Sequence, residues 1–249
     1  VKLQDKNTIV TGGASGFGAG IVARFLEEGA NVTIVDFDKT AALAYMESLK
    51  SDRVHFEYAD LADGKSVAEL FDRLQTRWSR LDVLVNNAGT THLPALLEDV
   101  SEKDFDKVFA VNAKSVYYTS KFAVPWMKQQ AAGAIVNIAS TAALSPRPHL
   151  TWYNASKGWM VTATKSMAIE LASERIRVNA ICPVAGETPL LASFMGSDTP
   201  ETREKFLSSI PLGRFSTPKD IAATALYLAS DEAAMITGVA LEVDGGRCI

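Results

Sequence analysis

Cysteine is scarce. Cys182 and Cys248 are the only two, and neither has a metal-ligand spacing or a partner nearby in sequence. That argues against a disulfide framework and a thiolate metal site, and it leaves one buried small residue and one thiol near the end. His55, His92 and His149 form no H-x-x-x-H pair, so no metal is expected. Positive charge is not in excess either: 25 Lys and Arg against 29 Asp and Glu give a net charge of −4, with no basic stripe. Nucleic acid is therefore not an expected partner, because neutralising phosphates takes clustered cations. No apolar run approaches the roughly 18 residues that cross a bilayer, and the first residues lead into a strand rather than a leader peptide. The expectation is a reduced, cytoplasmic chain with no membrane contact.

What is present is a large core. Apolar residues make up 47% of the 249 and charged residues 22%, the balance of a globular protein. Strand and helix patterns alternate. Asn7 to Thr11 reads as a short buried strand, followed by a Gly-rich turn and a helix from about Gly18 to Glu28, stopped by Gly29. Asn31 to Asp36, Val54 to Ala59, Leu81 to Val85, Ala134 to Ile138, Ile176 to Cys182 and Val239 to Val243 are the further strands. Between them run helical patterns: Asp38 to Leu49, Ser66 to Trp78, a long stretch from Ser101 to Gln130 that Pro125 should break, Thr151 to Ser173, and Thr217 to Ser230. Thr217 followed by Pro218 marks the start of the last one.

Near-continuous apolar strands alternating with helices predict an α/β fold: a doubly wound, mostly parallel seven-stranded sheet with helices on both faces. Ligands of such sheets bind beyond the carboxyl ends of the strands, where the strand order reverses. No low-complexity linker divides the chain, so residues 1–249 read as one domain. The long irregular region at about 185–212 carries Leu190, Leu191, Phe194, Met195 and Phe206, enough to pack a helical flap over a site.

Thr11-Gly12-Gly13-Ala14-Ser15-Gly16-Phe17-Gly18 sits between the first strand and the first helix. Glycines there let a pyrophosphate come close, and the helix aims free N–H groups at it. Asp36 ends the second strand, where a carboxylate accepts hydrogen bonds from both adenosine ribose hydroxyls and repels a 2′-phosphate. Neither the Gly-rich turn nor Phe37 offers a basic side chain. The expected cofactor is NAD.

Tyr153-Asn154-Ala155-Ser156-Lys157 puts a phenol and an ammonium on one face of a helix. A tyrosine with a pKa of about 10 is a poor base at neutral pH, and a neighbouring cation stabilises its phenolate. The strand before this helix ends at Ser140, whose hydroxyl can hold a substrate oxygen.

With these residues in order, the chain resembles the short-chain dehydrogenase/reductase family, of the single-domain NAD-dependent type. The likeness runs over essentially the whole sequence, through Thr11-Gly12-x-x-x-Gly16-x-Gly18, Asp60, Asn86-Asn87-Ala88-Gly89, Asn112, Ser140, Tyr153-x-x-x-Lys157 and the Pro183 to Thr188 segment. The resemblance implies an oxidoreductase that interconverts a secondary alcohol and a ketone. It implies Tyr153 as general acid/base, Ser140 as the residue that polarises the carbonyl, Lys157 as ribose ligand and depressor of the Tyr153 pKa, and Asn112 as holder of a relay water. It implies a cofactor site of Gly12, Ser15, Gly16, Phe17, Gly18, Asp36, Phe37, Asp60, Leu61, Asn87, Ala88, Gly89, Tyr153, Lys157, Pro183 and Thr188.

Two departures stand out: Val184 follows Pro183 where the family usually has glycine, with Gly186 two residues on, and Glu187 adds an acid near the site. The substrate pocket is expected between the segment after Ser140 and the flap, from Thr91, Thr141, His149, Val184 and Leu191, and its apolar character fits a small to medium alcohol or ketone. Arg147 reads as a solvated charge rather than an anion ligand. Relatives imply a homotetramer, with Arg247-Cys248-Ile249 packed at a subunit contact. Two alternatives stand beside the main reading. One is a 3-oxoacyl thioester reductase, against which Asp36 and the acidic charge weigh. The other is a non-catalytic NAD-binding sensor, which would lack the catalytic residues.

Overall fold

The computed structural model describes all residues, 1–249. Seven strands form one sheet: β1 (Asn7–Thr11), β2 (Asn31–Asp36), β3 (Val54–Tyr58), β4 (Val83–Asn86), β5 (Gly133–Ile138), β6 (Ile176–Pro183) and β7 (Ala240–Val243). Their spatial order is β3-β2-β1-β4-β5-β6-β7, and every neighbouring pair is parallel. Successive side chains along a strand point to opposite faces, and both faces here are apolar. Val10, Ile34, Val83, Val85 and Val136 face one core, while Ile9, Val35, Leu84, Ile135 and Val178 face the other. A sheet buried on both sides must be covered by helices, which is why the strands read as unbroken apolar runs.

Helices α1 (Gly16–Glu27), α2 (Lys39–Leu49) and α3 (Gly64–Arg77) follow the first three strands. The Asp63 side chain caps α3 by accepting from Lys65 and Ser66 N–H, and Val67, Leu70, Phe71 and Leu74 form its buried stripe. On the opposite face α1 packs against α9 (Pro218–Ala229). They approach closely at Gly20, where a Cβ would lie 2.6 Å from the Pro218 side chain. α9 begins with a full capping box: Thr217 Oγ1 accepts from Asp220 N–H, and the Asp220 carboxylate accepts from Thr217 N–H.

The stretch between β4 and β5 corrects one expectation. Pro125 does not break it, since α5 (Ser115–Gln129) runs straight through that residue. Pro125 is exposed, so the Lys121 carbonyl it leaves without an amide partner faces water. The interruption lies earlier, at a π-helical turn over Ala110–Lys114 that separates α4 (Glu102–Phe109) from α5. This turn carries Asn112, fully buried. α6 (Thr151–Leu171) brings Tyr153 and Lys157 to the sheet. Between β6 and α9 two short helices form, α7 (Leu191–Met195) and α8 (Pro200–Leu207). They pack through Val184, Leu191, Met195, Ile210 and Phe215, with Phe206 half-buried beside them. The apolar residues of 185–212 do make a helical segment.

No helix is long and apolar enough to cross a membrane.

Candidate active site

The strand order reverses between β1 and β4, and a cleft of about 710 Å³ opens at the carboxyl ends of the strands there. Its floor is the Gly-rich turn. Gly12 adopts φ +60°, and a Cβ on it would sit 2.9 Å from the Ala88 Cα, so both the backbone angle and the space require glycine. Helix α1 starts at Gly16, two residues earlier than its pattern suggested, and the Ser15 side chain accepts no capping hydrogen bond. The first-turn N–H groups therefore stay open toward the cleft. The turn is fastened to β4 by a set of hydrogen bonds. Asn87 Nδ2 donates to Thr11 O (2.9 Å) and Gly12 O (3.0 Å), while Thr11 Oγ1 accepts from the Asn87 and Ala88 amides at 2.9 and 3.0 Å.

Asp36 ends β2 and lines the cleft. One carboxylate oxygen accepts from Ala14 N–H (3.2 Å) and the other from Asp38 N–H (3.1 Å). These bonds hold the group in place, and each oxygen keeps a lone pair for a further donor. Phe37 stands exposed beside it, and Asp60, Leu61, Ala62 and Tyr58 continue the wall. An open helix N-terminus, a glycine cradle and an anchored carboxylate fit a dinucleotide whose ribose lacks a 2′-phosphate.

At the other end Ser140, Tyr153 and Lys157 converge. Ser140 follows β5, and its Oγ accepts from Ala142 N–H at 3.1 Å and faces the cleft, with its hydroxyl proton directed toward Tyr153. Tyr153 and Lys157, one helical turn apart on α6, are both buried and both line the cleft. Lys157 Nζ donates to Ile138 O at 2.8 Å, and burial lowers its pKa to about 8. Burial pushes the Tyr153 phenol above its ordinary value, and a hydrogen bond with Ser140 opposes this only in part. The cation expected to depress the Tyr153 pKa is instead tied to a main-chain carbonyl, and burial wins within the protein itself.

Asn112 does not line the cleft. It lies behind it, accepting from Thr90 N–H (2.8 Å) and donating to Thr90 O and Ser156 Oγ (both 2.9 Å). A Cβ on Gly89 would stand at ordinary contact distance from both groups, 3.4 Å from Lys157 Nζ and 3.5 Å from Asn112 Oδ1. Gly18 is likewise buried behind the wall rather than in it, with its Cα against Gly12.

Of the expected cofactor residues, Gly12, Ser15, Gly16, Phe17, Asp36, Phe37, Asp60, Leu61, Asn87, Ala88, Gly89, Tyr153, Lys157, Pro183 and Thr188 all line one cleft. Three of the five expected substrate-pocket residues do not. Thr141 is packed inward in the short turn after Ser140, His149 is exposed at φ +64°, and the Thr91 hydroxyl turns aside to His92 O (2.9 Å). Val184 and Leu191 do line it, joined by Ala185, Leu190 and Phe194. Thr90, Lys107, Val111 and Ile138 were missed. Lys107 and Val111, four residues apart, share one helical face toward the cleft.

The Val184 departure has a structural account. Val184 is buried and its amide bonds to Val243 O (3.3 Å), so one hydrogen bond to β7 is made just beyond the end of β6. Glycine is needed two residues later, where a Cβ on Gly186 would lie 2.2 Å from the Phe17 ring. Thr188 then reaches the Gly-rich turn, 3.2 Å from where a Gly16 Cβ would be. Glu187 is exposed.

A family model described as enoyl-(acyl carrier protein) reductase matches residues 12–247. A 4-formylbenzenesulfonate dehydrogenase from Comamonas testosteroni is 45% identical over 254 residues, covering all of both chains. The chain belongs to the short-chain dehydrogenase/reductase family. A 3-oxoacyl-[acyl-carrier-protein] reductase from Thermotoga maritima is 38% identical, again over the full length of both. Among solved structures, a 3-ketoacyl-(acyl-carrier-protein) reductase from Brucella melitensis complexed with NADH superposes with a TM-score of 0.94. It is 44% identical, and the match covers 99% of this chain and 100% of that one. The seven-stranded parallel sheet is the architecture these relatives share with this oxidoreductase-family chain.

Proposed function

We propose that this short-chain dehydrogenase/reductase interconverts a secondary alcohol and a ketone with NAD(H), and that Tyr153 is its general acid/base. The observation that carries the reading is the convergence of Ser140, Tyr153 and Lys157 at the end of a cleft whose other end is closed by the anchored carboxylate of Asp36. The dinucleotide, when bound, supplies or receives the hydride. The rest falls to the chain. Ser140 donates its hydroxyl proton in a hydrogen bond to the substrate oxygen and orients it. Tyr153 gives its proton to that oxygen in reduction and takes it back, as phenolate, in oxidation; help of this kind is worth about 100- to 10,000-fold. Lys157, with one proton spent on Ile138 O, has others for ribose hydroxyls. Asn112, held by Thr90 and Ser156, positions the relay water. Residues 1–249 act as one catalytic unit, and 185–212 forms the substrate flap.

Relatives named as 3-oxoacyl and 3-ketoacyl carrier-protein reductases, one of them solved in complex with NADH, support a second reading, reduction of a 3-oxoacyl thioester. The exposed apolar side chains Tyr117 on α5 and Trp159 and Ile169 on α6 fit the tetramer inferred from the family.

The test is nicotinamide absorbance with NAD and secondary alcohols, with NADH and ketones, and with a 3-oxoacyl thioester. NADP(H) and Tyr153→Phe run in parallel. Turnover with NAD(H) that falls at least 100-fold in Tyr153→Phe, with NADH binding kept, is expected. Retained turnover in that variant would remove Tyr153 from the chemistry.

A further inference from the structure

Beyond Tyr153 the structure holds two arginines that the chemistry above does not use. Arg147 lies in the turn between Ser140 and α6. Its guanidinium carbon sits 4.4 Å from the centre of the Phe206 ring, and its Nη2 donates to Ser209 Oγ at 3.3 Å. Phe206 meets Phe194 edge to face at 6.0 Å between centroids, and Phe194 meets Tyr153 in the same way at 5.5 Å. An aromatic wall thus runs from the phenol to the guanidinium: Phe194 lines the cleft, and Phe206 and Arg147 continue the wall beyond it. Arg247 comes in beside Arg147. It donates to Ser145 Oγ at 3.1 Å, and its Nε is buried with no partner.

Neither arginine has a carboxylate. The arginines elsewhere around this segment do: Arg203 pairs with Asp198 and Arg214 with Asp220. Burial lowers the Arg147 pKa to about 10, the Arg247 charge pushes the same way, and only the Cys248 thiol acts against them. Arg147 is therefore still a cation at neutral pH, half out of water, with a second cation beside it. Such an arrangement is unfavourable until an anion joins it. The chain has 29 Asp and Glu to supply one, yet none is placed here.

We propose that Arg147, assisted by Arg247, binds a carboxylate or sulfonate group on a substrate whose aromatic body lies against Phe194 and Phe206. The inference rests on the hydride-transfer reading above and names the substrate class of that site. A guanidinium presents two parallel N–H groups to two oxygens of either anion. Stacking on Phe206 fixes the plane of that fork. The half-buried setting under the flap suits a small anion rather than the acidic surface of a protein.

Two measurements test it. In the first, kcat/KM is compared for 4-acetylbenzoate and acetophenone in the wild type and in Arg147→Met. The ratio favouring the anion should fall about ten- to a hundredfold in the variant, carried by KM. In the second, calorimetry follows 4-methylbenzenesulfonate, which cannot react, binding to the wild type, Arg147→Met and Arg247→Met. Binding weakened at least tenfold by Arg147→Met and less by Arg247→Met is the expected result. No binding to the wild type, or equal binding to both variants, would overturn the proposal whether or not any ketone is turned over. If Arg147→Met fails to fold, Arg247→Met carries the same comparison. An acidic carrier protein that loses binding in Arg147→Met, with sulfonate binding intact, would overturn it in favour of a protein-docking surface. Absence of ketone turnover with sulfonate binding intact would instead count against the hydride-transfer reading alone.

Discussion

Replacing Asn112 by alanine removes a fully buried side chain that makes three hydrogen bonds, two to Thr90 and one to Ser156. Ser156 Oγ keeps its bond to Tyr153 O (2.7 Å), so it is not wholly orphaned. Thr90 loses partners for both its amide and its carbonyl, on a loop that is only half-buried and reachable by water. Each net hydrogen bond is worth about 0.5–1.5 kcal/mol, and more where a group is left stranded. The sum comes to about 2–4 kcal/mol, large for one residue of a marginally stable protein. The π-helical turn at Ala110–Lys114 presents Asn112 to these partners, so the loss should fall on the junction of α4 and α5 first. Equilibrium urea unfolding, with amide exchange at Thr90 and Lys114 as a local probe, reads both effects. A loss below 1 kcal/mol with unchanged exchange would mean that the three bonds are incidental. Asn112→Asp keeps the acceptor for Thr90 N–H but faces Thr90 O with a carboxylate, and should be no more stable than the alanine variant.

Asp36→Ala with Phe37→Arg should raise kcat/KM with NADP by at least tenfold relative to NAD, since it removes the repelling carboxylate and adds a cation at an exposed cleft position. Steady-state assays with both cofactors decide it, and an unchanged preference would mean that the ribose is read elsewhere. Asp220 is held well below the ordinary carboxylate range, chiefly by its hydrogen bonds to Arg214 and also by those to Thr217. A folded-state pKa that is depressed contributes stability above the unfolded value of about 3.9 and loses it as pH falls through the acid range. Asp220→Asn should therefore cost stability at pH 7 and flatten the acid limb of the stability profile, whereas parallel curves would refute the linkage. Burial holds the proton on Tyr153, so alcohol oxidation should speed up as pH rises from neutral into the alkaline range while ketone reduction does not. A flat oxidative profile would argue against a phenolate base.

The sheet was legible because a parallel strand buried on both faces leaves no polar alternation to confuse it. Val83 to Val85 and Ile135 to Val136 are such runs. The dinucleotide half of the site was legible for a related reason. The Gly12 turn and Asp36 act through backbone geometry at the ends of adjacent elements, and such geometry is written locally. The substrate half was not. Whether Thr141, His149 or Phe194 faces the cleft depends on how the turn after Ser140 meets α7, a contact between segments far apart in sequence. The continuity of α5 through Pro125 depended on that residue facing water, and the π-helical turn on hydrogen bonds from Asn112 to a loop after β4. Sequence determined the fold and the Gly-rich floor, because each follows from periodicity or a local backbone need, and it offered Ser140, Tyr153 and Lys157 as candidates through their order and the family resemblance. Tertiary structure alone decided that Lys157 is tied to Ile138, that burial raises the Tyr153 pKa, and that Arg147 and Arg247 meet without a carboxylate, because desolvation and unpaired charge belong to the packing around a residue and not to its position in the chain.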